Sequence, residues 1–283
     1  MKTALSAPLD DMNMNVGAFK MAPAQLVLDS SEYRAYLRSD ERKIILESDG
    51  EGSLLADAME AVRPDEVILP FVLGDKNATY EASMDFYNDH IVGMDNPPRV
   101  MAVAQGETLG EWNESYAEWL GLDFIDIIGV HKNIEFQVGN GSMDQEALGK
   151  AERRSYNRRN LVNQAYYASR SKPVHLIGMN NLAELELLRD SGANKSGFIR
   201  SISSVAPYGD AIAGRDWTRF DRAERHFVWD CERVDFGHQW TPETKVRAYM
   251  NLMAFAEASG DHSVSYNLGR ISDQDELIQP KEN

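Results

Sequence analysis

Residues Lys172 to Gly214 read KPVHLIGMNNLAELELLRDSGANKSGFIRSISSVAPYGDAIAG. An apolar run from Val174 to Met179 has strand character, and Leu182 to Arg189 has helical spacing. Gly192 stops that helix, and a second strand-like run, Phe198 to Val205, ends at Pro207. This is one βα unit and the start of the next, with polar residues gathered where each strand ends. Repeated around a closed parallel sheet, such strand ends build an active site on one face.

The same unit recurs upstream. Asp65 to Leu73 (DEVILPFVL) is almost wholly apolar, as a strand buried on both faces must be, and Ala78 to His90 supplies its helix. Val100 to Gln105 is the next strand, closed by Gly106 and followed by a helix over Thr108 to Leu120. Phe124 to Val130 (FIDIIGV) ends at His131, Lys132 and Asn133, and a long helical stretch from Met143 to Ser169 follows. Nearer the start, Gln25 to Asp29 (QLVLD) is a short apolar run ending in an acid. Ser30 or Ser31 is placed to cap a helix to Arg38, Lys43 to Glu47 (KIILE) reads as a short strand, and Ser53 to Val62 as a helix. Beyond Gly214, helices are expected over Asp221 to Cys231 and Pro242 to Ser259, the latter with Thr241 as cap and proline in first place. The Asn140-Gly141 turn signal leads into a helix and not a second strand, which favours a parallel sheet. No G-x-G-x-x-G follows the first strand and no Walker A sequence occurs, which counts against an open nucleotide-binding sheet. The expectation is an α/β chain folded as one (β/α)8 TIM barrel over residues 25–270, with a basic helical insertion. A loosely held arm or lid is expected over 1–24, and a polar tail over 271–283.

Composition narrows the function. A (β/α)8 barrel takes about 250 residues, and 283 suffice. The 29 basic against 45 acidic residues give a net charge of −16, so a nucleic-acid partner would need a local basic patch. Cys231 is the single cysteine, which excludes a disulfide framework and a cysteine-rich zinc site. The N-terminal sequence has no signal-peptide pattern and no apolar run is long enough to span a membrane, so a cytoplasmic protein is expected.

In a barrel, the residues just past each strand line the site: Asp29, Phe71 with Asp75, Gln105 with Gly106, His131 with Lys132, Met179, and Arg200 with Ser203. Each has a plainer reading. An acid before a helix is often its cap, as Asp75 would be. A lone histidine is more often structural than catalytic, and a glutamine can simply close a loop. What raises the set is that successive strands deliver such residues at the same end.

The order LDSSEY, DEVILPFVLGD, VMAVAQGETLGEW, VHLIGM and SISSVAPYGDAIAG, over residues 25 to 214, resembles the tRNA-guanine transglycosylase superfamily. It looks most like the DNA-directed branch associated with 7-deazaguanine modification. The resemblance implies a (β/α)8 barrel. It implies that Asp29 lies against the base as general acid or base, that Gln105 and Gly106 hydrogen-bond a base edge, and that Met179 ends a strand flooring the pocket. Three departures accompany it. The family's nucleophilic aspartate is replaced by Ser203, its guanine-reading aspartate by Phe71, and its structural zinc has no cysteines to hold it.

These departures point to hydrolysis. Base exchange needs a covalent sugar–enzyme intermediate, whereas a carboxylate that activates water gives simple excision. The expected activity is that of a DNA glycosylase directed at a modified base, with attack on hypermodified phage DNA as one setting. Asp29 is the expected carboxylate, Asp75 and Asp210 are reserves, and His131 or Lys132 assists departure of the base. Phe71, Met179 and Arg200 complete the substrate-binding set, and no cofactor or metal is called for. The alternatives are a transglycosylase inserting a 7-deazaguanine into DNA, an inactive nucleic-acid-binding barrel, and a nucleoside hydrolase.

DNA contact is expected in the stretch Lys150 to Lys172. It carries Lys150, Arg153, Arg154, Arg158, Arg159, Arg170 and Lys172 against Glu152 alone, interleaved with Tyr156, Tyr166 and Tyr167. Cations with aromatics suit backbone tracking and base stacking, although a solvated helix face gives the same pattern. A second run around Arg215 to Arg225 is diluted by acids, and there the solvated face is favoured. A homodimer remains open.

Overall fold

The computed structural model describes residues 1–6, 8–9, 11–15, 17–47, 52–136, 138, 150–168, 172–218 and 239–263. The stretches expected to hold the Asn140-Gly141 turn, the Asp221 to Cys231 helix and the polar tail lie outside them.

Eight strands form a closed, all-parallel barrel in sequence order. They are β1 (Lys2–Leu5), β2 (Phe19–Pro23), β3 (Lys43–Glu47), β4 (Glu66–Ile68), β5 (Arg99–Val103), β6 (Ile125–His131), β7 (Val174–Ile177) and β8 (Ile199–Ser204). Between and after them lie α1 (Ala24–Asp29), α2 (Ser31–Leu37), α3 (Gly52–Val62), α4 (Lys76–His90), α5 (Leu109–Gly121), α6 (Lys150–Ala168), α7 (Leu182–Arg189), α8 (Gly192–Lys195), α9 (Ala206–Ile212) and α10 (Pro242–Ser259). The fold is therefore the (β/α)8 barrel. Closure is made by β1 against β8, with Lys2 opposite Ser201 and Leu5 opposite Ser204.

Side-chain alternation along the strands sorts the core into two layers. Ala4, Phe19, Met21, Ile45, Ile68, Met101, Val103, Ile127 and Ile177 fill the barrel interior. The larger outer layer, which includes Leu46, Val67, Ala102, Ile128, Leu176 and Ile202, packs against the helices. Capping follows the sequence signals. Ser30, Asp75, Thr108 and Thr241 each accept a backbone N–H at the start of α2, α4, α5 and α10. Glu111 completes a capping box with Thr108.

The first two strands lie in the stretch expected to be an arm, and QLVLD forms helix α1 and not a strand. The sequence disguises β2 (FKMAP) with a lysine at its second position. Lys20 points outward and is fully buried. Its ammonium donates to the carbonyls of Tyr36 at 2.7 Å and Leu37 at 3.0 Å at the end of α2, and lies 3.1 Å from Asp40. Burial lowers the Lys20 pKa, and Asp40 opposes that shift. A charge that reads as surface is thus a helix C-cap in the outer core. At the other end of the chain, Asp261 ties α10 to β1: its carboxylate accepts from Thr3 N at 2.6 Å and from Thr3 Oγ1 at 2.8 Å.

Candidate active site at the mouth of the barrel

The C-terminal strand ends bring several of the expected residues together. Phe71, just past β4, packs on the interior core, and its ring lies 5.7 Å from that of His131 at the end of β6. Gln105 follows β5 and is only 5% exposed. Its Oε1 accepts from Gly74 N at 2.9 Å and its backbone N–H donates to Ser115 Oγ at 3.2 Å, so the carboxamide is fixed. Its Nε2 is buried with no partner. Gly106 is required by close packing: an added Cβ would lie 2.5 Å from Trp112 N. That glycine lets α5 start against the strand end and so holds Gln105 in place.

His131 is half-buried, and its Nδ1 accepts from Asn133 N at 3.2 Å. The neutral ring therefore carries its proton on Nε2. Burial, with repulsion from Arg158, Lys132 and Arg154, pushes its pKa down to about 3. It is a neutral hydrogen-bond donor at physiological pH and not a cation. The Lys132 side chain packs against Gly178. Ser203 faces inward on β8 beside Ala4 of β1 and is 5% exposed. The buried imidazole of His175 is bonded to Ser201 Oγ at 2.8 Å, one inward position below Ser203.

Other expected site residues stand elsewhere. Asp29 ends α1, is exposed, and accepts from Gln25 Nε2 at 2.8 Å. Asp75 is exposed and serves as the cap of α4, accepting from Ala78 N at 2.9 Å. Asp210 is buried and accepts from Arg215 Nη2 at 2.7 Å and Trp217 Nε1 at 2.6 Å, a structural assignment. Met179 is fully buried in the outer layer, because Gly178 at φ +73° turns the chain out of strand alternation. Arg200 lies at the opposite, N-terminal end of the barrel, paired with Glu66 and 4.7 Å from the Phe19 ring centroid.

The basic stretch divides. Arg158 is buried, donating to Glu184 at 2.8 and 2.7 Å and to the Ile177 carbonyl at 3.0 Å. Arg154 pairs with Glu135, and Lys172 caps α5 through the carbonyls of Trp119 and Leu122. Arg153 and Arg159 are half-exposed, with Arg159 5.4 Å from the Tyr156 ring centroid. Tyr156, Asn160, Asn163, Gln164 and Tyr167 line a shallow groove along the outer face of α6.

Among the described residues, Glu47 is a carboxylate that strand geometry brings to the mouth. Ile45 faces the barrel interior, so Glu47, two residues on at the end of β3, shares its face at the C-terminal rim, where it is half-buried. QLVLD and KIILE both look like apolar runs ending in a carboxylate, but Asp29 ends helix α1 and Glu47 ends strand β3. The distinguishing signal was the β-branched pair Ile44-Ile45 in the second, against Pro23-Ala24 opening a helix in the first.

No family model matches the chain, and no curated protein shows significant similarity to it.

Proposed function

We propose that the protein is a DNA glycosylase that hydrolyses the N-glycosidic bond of a modified nucleobase at the barrel mouth. The observation that carries this reading is Gln105: a fixed, buried carboxamide with an unpartnered N–H pair, beside the Phe71 ring and in the same rim as a carboxylate. A buried unpartnered donor costs free energy unless a ligand acceptor meets it. A flat heteroaromatic base offers both an acceptor edge and a face for Phe71.

In this mechanism Glu47 activates water and offsets the positive charge that develops on the sugar as the bond to the base breaks. The His131 Nε2–H hydrogen-bonds the departing base without transferring its proton, since the ring is already neutral, and the base leaves as an anion that takes up, through solvent, the proton Glu47 removes from water. Ser203 contributes a hydroxyl to the pocket wall and not a covalent intermediate, because an activated serine needs an adjacent base. Among the described side chains of the basic stretch, Arg153 and Arg159 supply the phosphate contact. The resemblance to the transglycosylases supports a nucleobase as ligand, and the absence of an aspartate at 203 favours hydrolysis over exchange.

The test is mass spectrometry of small molecules released from a panel of glucosylated, hydroxymethylated and deazaguanine-bearing DNAs. The expected result is a free base with an abasic site left in the DNA. Uptake of labelled free deazaguanine into DNA would replace hydrolysis by exchange, and neither reaction on any DNA would refute both.

A further inference from the structure

The N-terminal end of the barrel holds a polar network unused by the chemistry above. β8 is bulged against β7: Val174 pairs with Ile199 but His175 with Ser201, leaving Arg200 as the extra residue. A bulge re-aims side chains, and here Arg200 and Ser201 both address the interior. Arg200 donates to Glu66 of β4 through Nη2, and to Ser201 Oγ at 3.2 Å through Nη1. Arg99 of β5 adds a second cation 3.6 Å from Glu66 and lies 3.5 Å from Asp126 of β6, itself at a bulge.

Ser201 Oγ accepts from Arg200 Nη1 and is joined to His175 Nδ1, 2.8 Å away. In either neutral tautomer of His175, Nδ1 is thus engaged and Nε2 is the far end of the ring. Glu66 and His175 are both fully buried, and Glu66 Oε2 and His175 Nε2 each lack a hydrogen-bond partner. Arg200 holds the other oxygen of the carboxylate, and Ser201 the other nitrogen of the ring. A water, which can both donate and accept, meets the carboxylate oxygen and either form of the ring nitrogen.

We infer that the floor of the barrel is a binding site for an ordered water molecule, which hydrogen-bonds His175 Nε2 and donates to Glu66 Oε2. The water closes Glu66, Arg200, Ser201 and His175 into a ring that ties β4, β7 and β8 together beneath the pocket. The site is independent of the proposed glycosylase activity.

A crystal structure at a resolution that shows ordered solvent tests it. Density within hydrogen-bond distance of both Glu66 Oε2 and His175 Nε2 is expected. A dry floor, direct contact between the two side chains, or separate waters each serving one of them would overturn the proposal. In solution, oxygen-17 relaxation dispersion is expected to detect a long-lived internal water in the wild type that His175→Phe lacks; equal signals would overturn it. Should that variant fail to fold, a water cross-peak to the carbon-bound His175 ring protons that flank Nε2 in the wild type decides the matter, and its absence counts against the site.

Discussion

Replacing Arg158 with methionine is expected to destabilise the protein while leaving any DNA contact intact. The guanidinium and the Glu184 carboxylate are each 1% exposed, and two hydrogen bonds of 2.8 and 2.7 Å join them. A third, of 3.0 Å, holds the Ile177 carbonyl at the end of β7. Removing one member of such a pair strands the other charge in the core, at a cost of about 3–5 kcal/mol. For a chain of this size 1 kcal/mol moves the melting temperature by roughly 2–4 °C, so a fall on the order of 10 °C is expected. Arg158→Met with Glu184→Leu removes both charges and is expected to recover most of the loss. Arg159→Met, which gives up only a half-exposed contact with Tyr156, is expected to cost under about 1 kcal/mol. Thermal denaturation of the four proteins, with DNA binding followed by fluorescence anisotropy, separates the roles. An Arg158→Met variant with unchanged melting temperature and lost DNA affinity would refute the assignment of Arg158 to the core.

Three further outcomes follow from the same geometry. The His175 pKa is pushed down to about 3 by full burial, against about 6.5 in the unfolded chain, so the unfolded state binds more protons as pH falls. The stability tied to the neutral ring is present above pH 6.5 and is lost progressively toward pH 3. Between pH 7 and 4.5 the loss is roughly 2–3 kcal/mol, and urea titrations are expected to show it in the wild type but not in His175→Gln. Asp261→Ala removes both charge-assisted bonds to the buried Thr3 and is expected to cost on the order of 3 kcal/mol, with hydrogen exchange rising first in β1. Gly106→Ala places a Cβ 2.5 Å from Trp112 N and is expected to lower both melting temperature and activity by displacing Gln105.

The fold was legible wherever strands are buried on both faces and helices carry their caps. VHLIGM, VMAVAQ and FIDIIGV lie on β7, β5 and β6, and the segments from Leu182 to Arg189 and from Pro242 to Ser259 form helices over those same residues. What was hidden depended on tertiary partners. Lys20 masks β2 because its charge is satisfied by the end of α2, which is remote from it in sequence. β1 is four residues long and gains its meaning only from pairing with β8 at the far end of the chain. The basic stretch looked like one surface because spacing does not reveal that Glu184 and Glu135 turn two of its arginines into ion pairs. At the mouth, Phe71, Gln105, His131 and Ser203 were legible as strand-end residues. Arg200 and Met179 were not, since a bulge and a left-handed glycine shift them away from the simple alternation.

No helix among the described residues is long and apolar enough to cross a membrane, and the proposed chemistry lies in the barrel rim. The most direct measurement of that claim compares base release by Glu47→Gln and Asp29→Asn. The rim carboxylate is expected to matter and the exposed helix-end carboxylate not to. Glu47→Gln should fall about a hundred- to ten-thousand-fold, with Asp29→Asn within a factor of about two of wild type. Full activity in Glu47→Gln together with loss in Asp29→Asn would contradict the account.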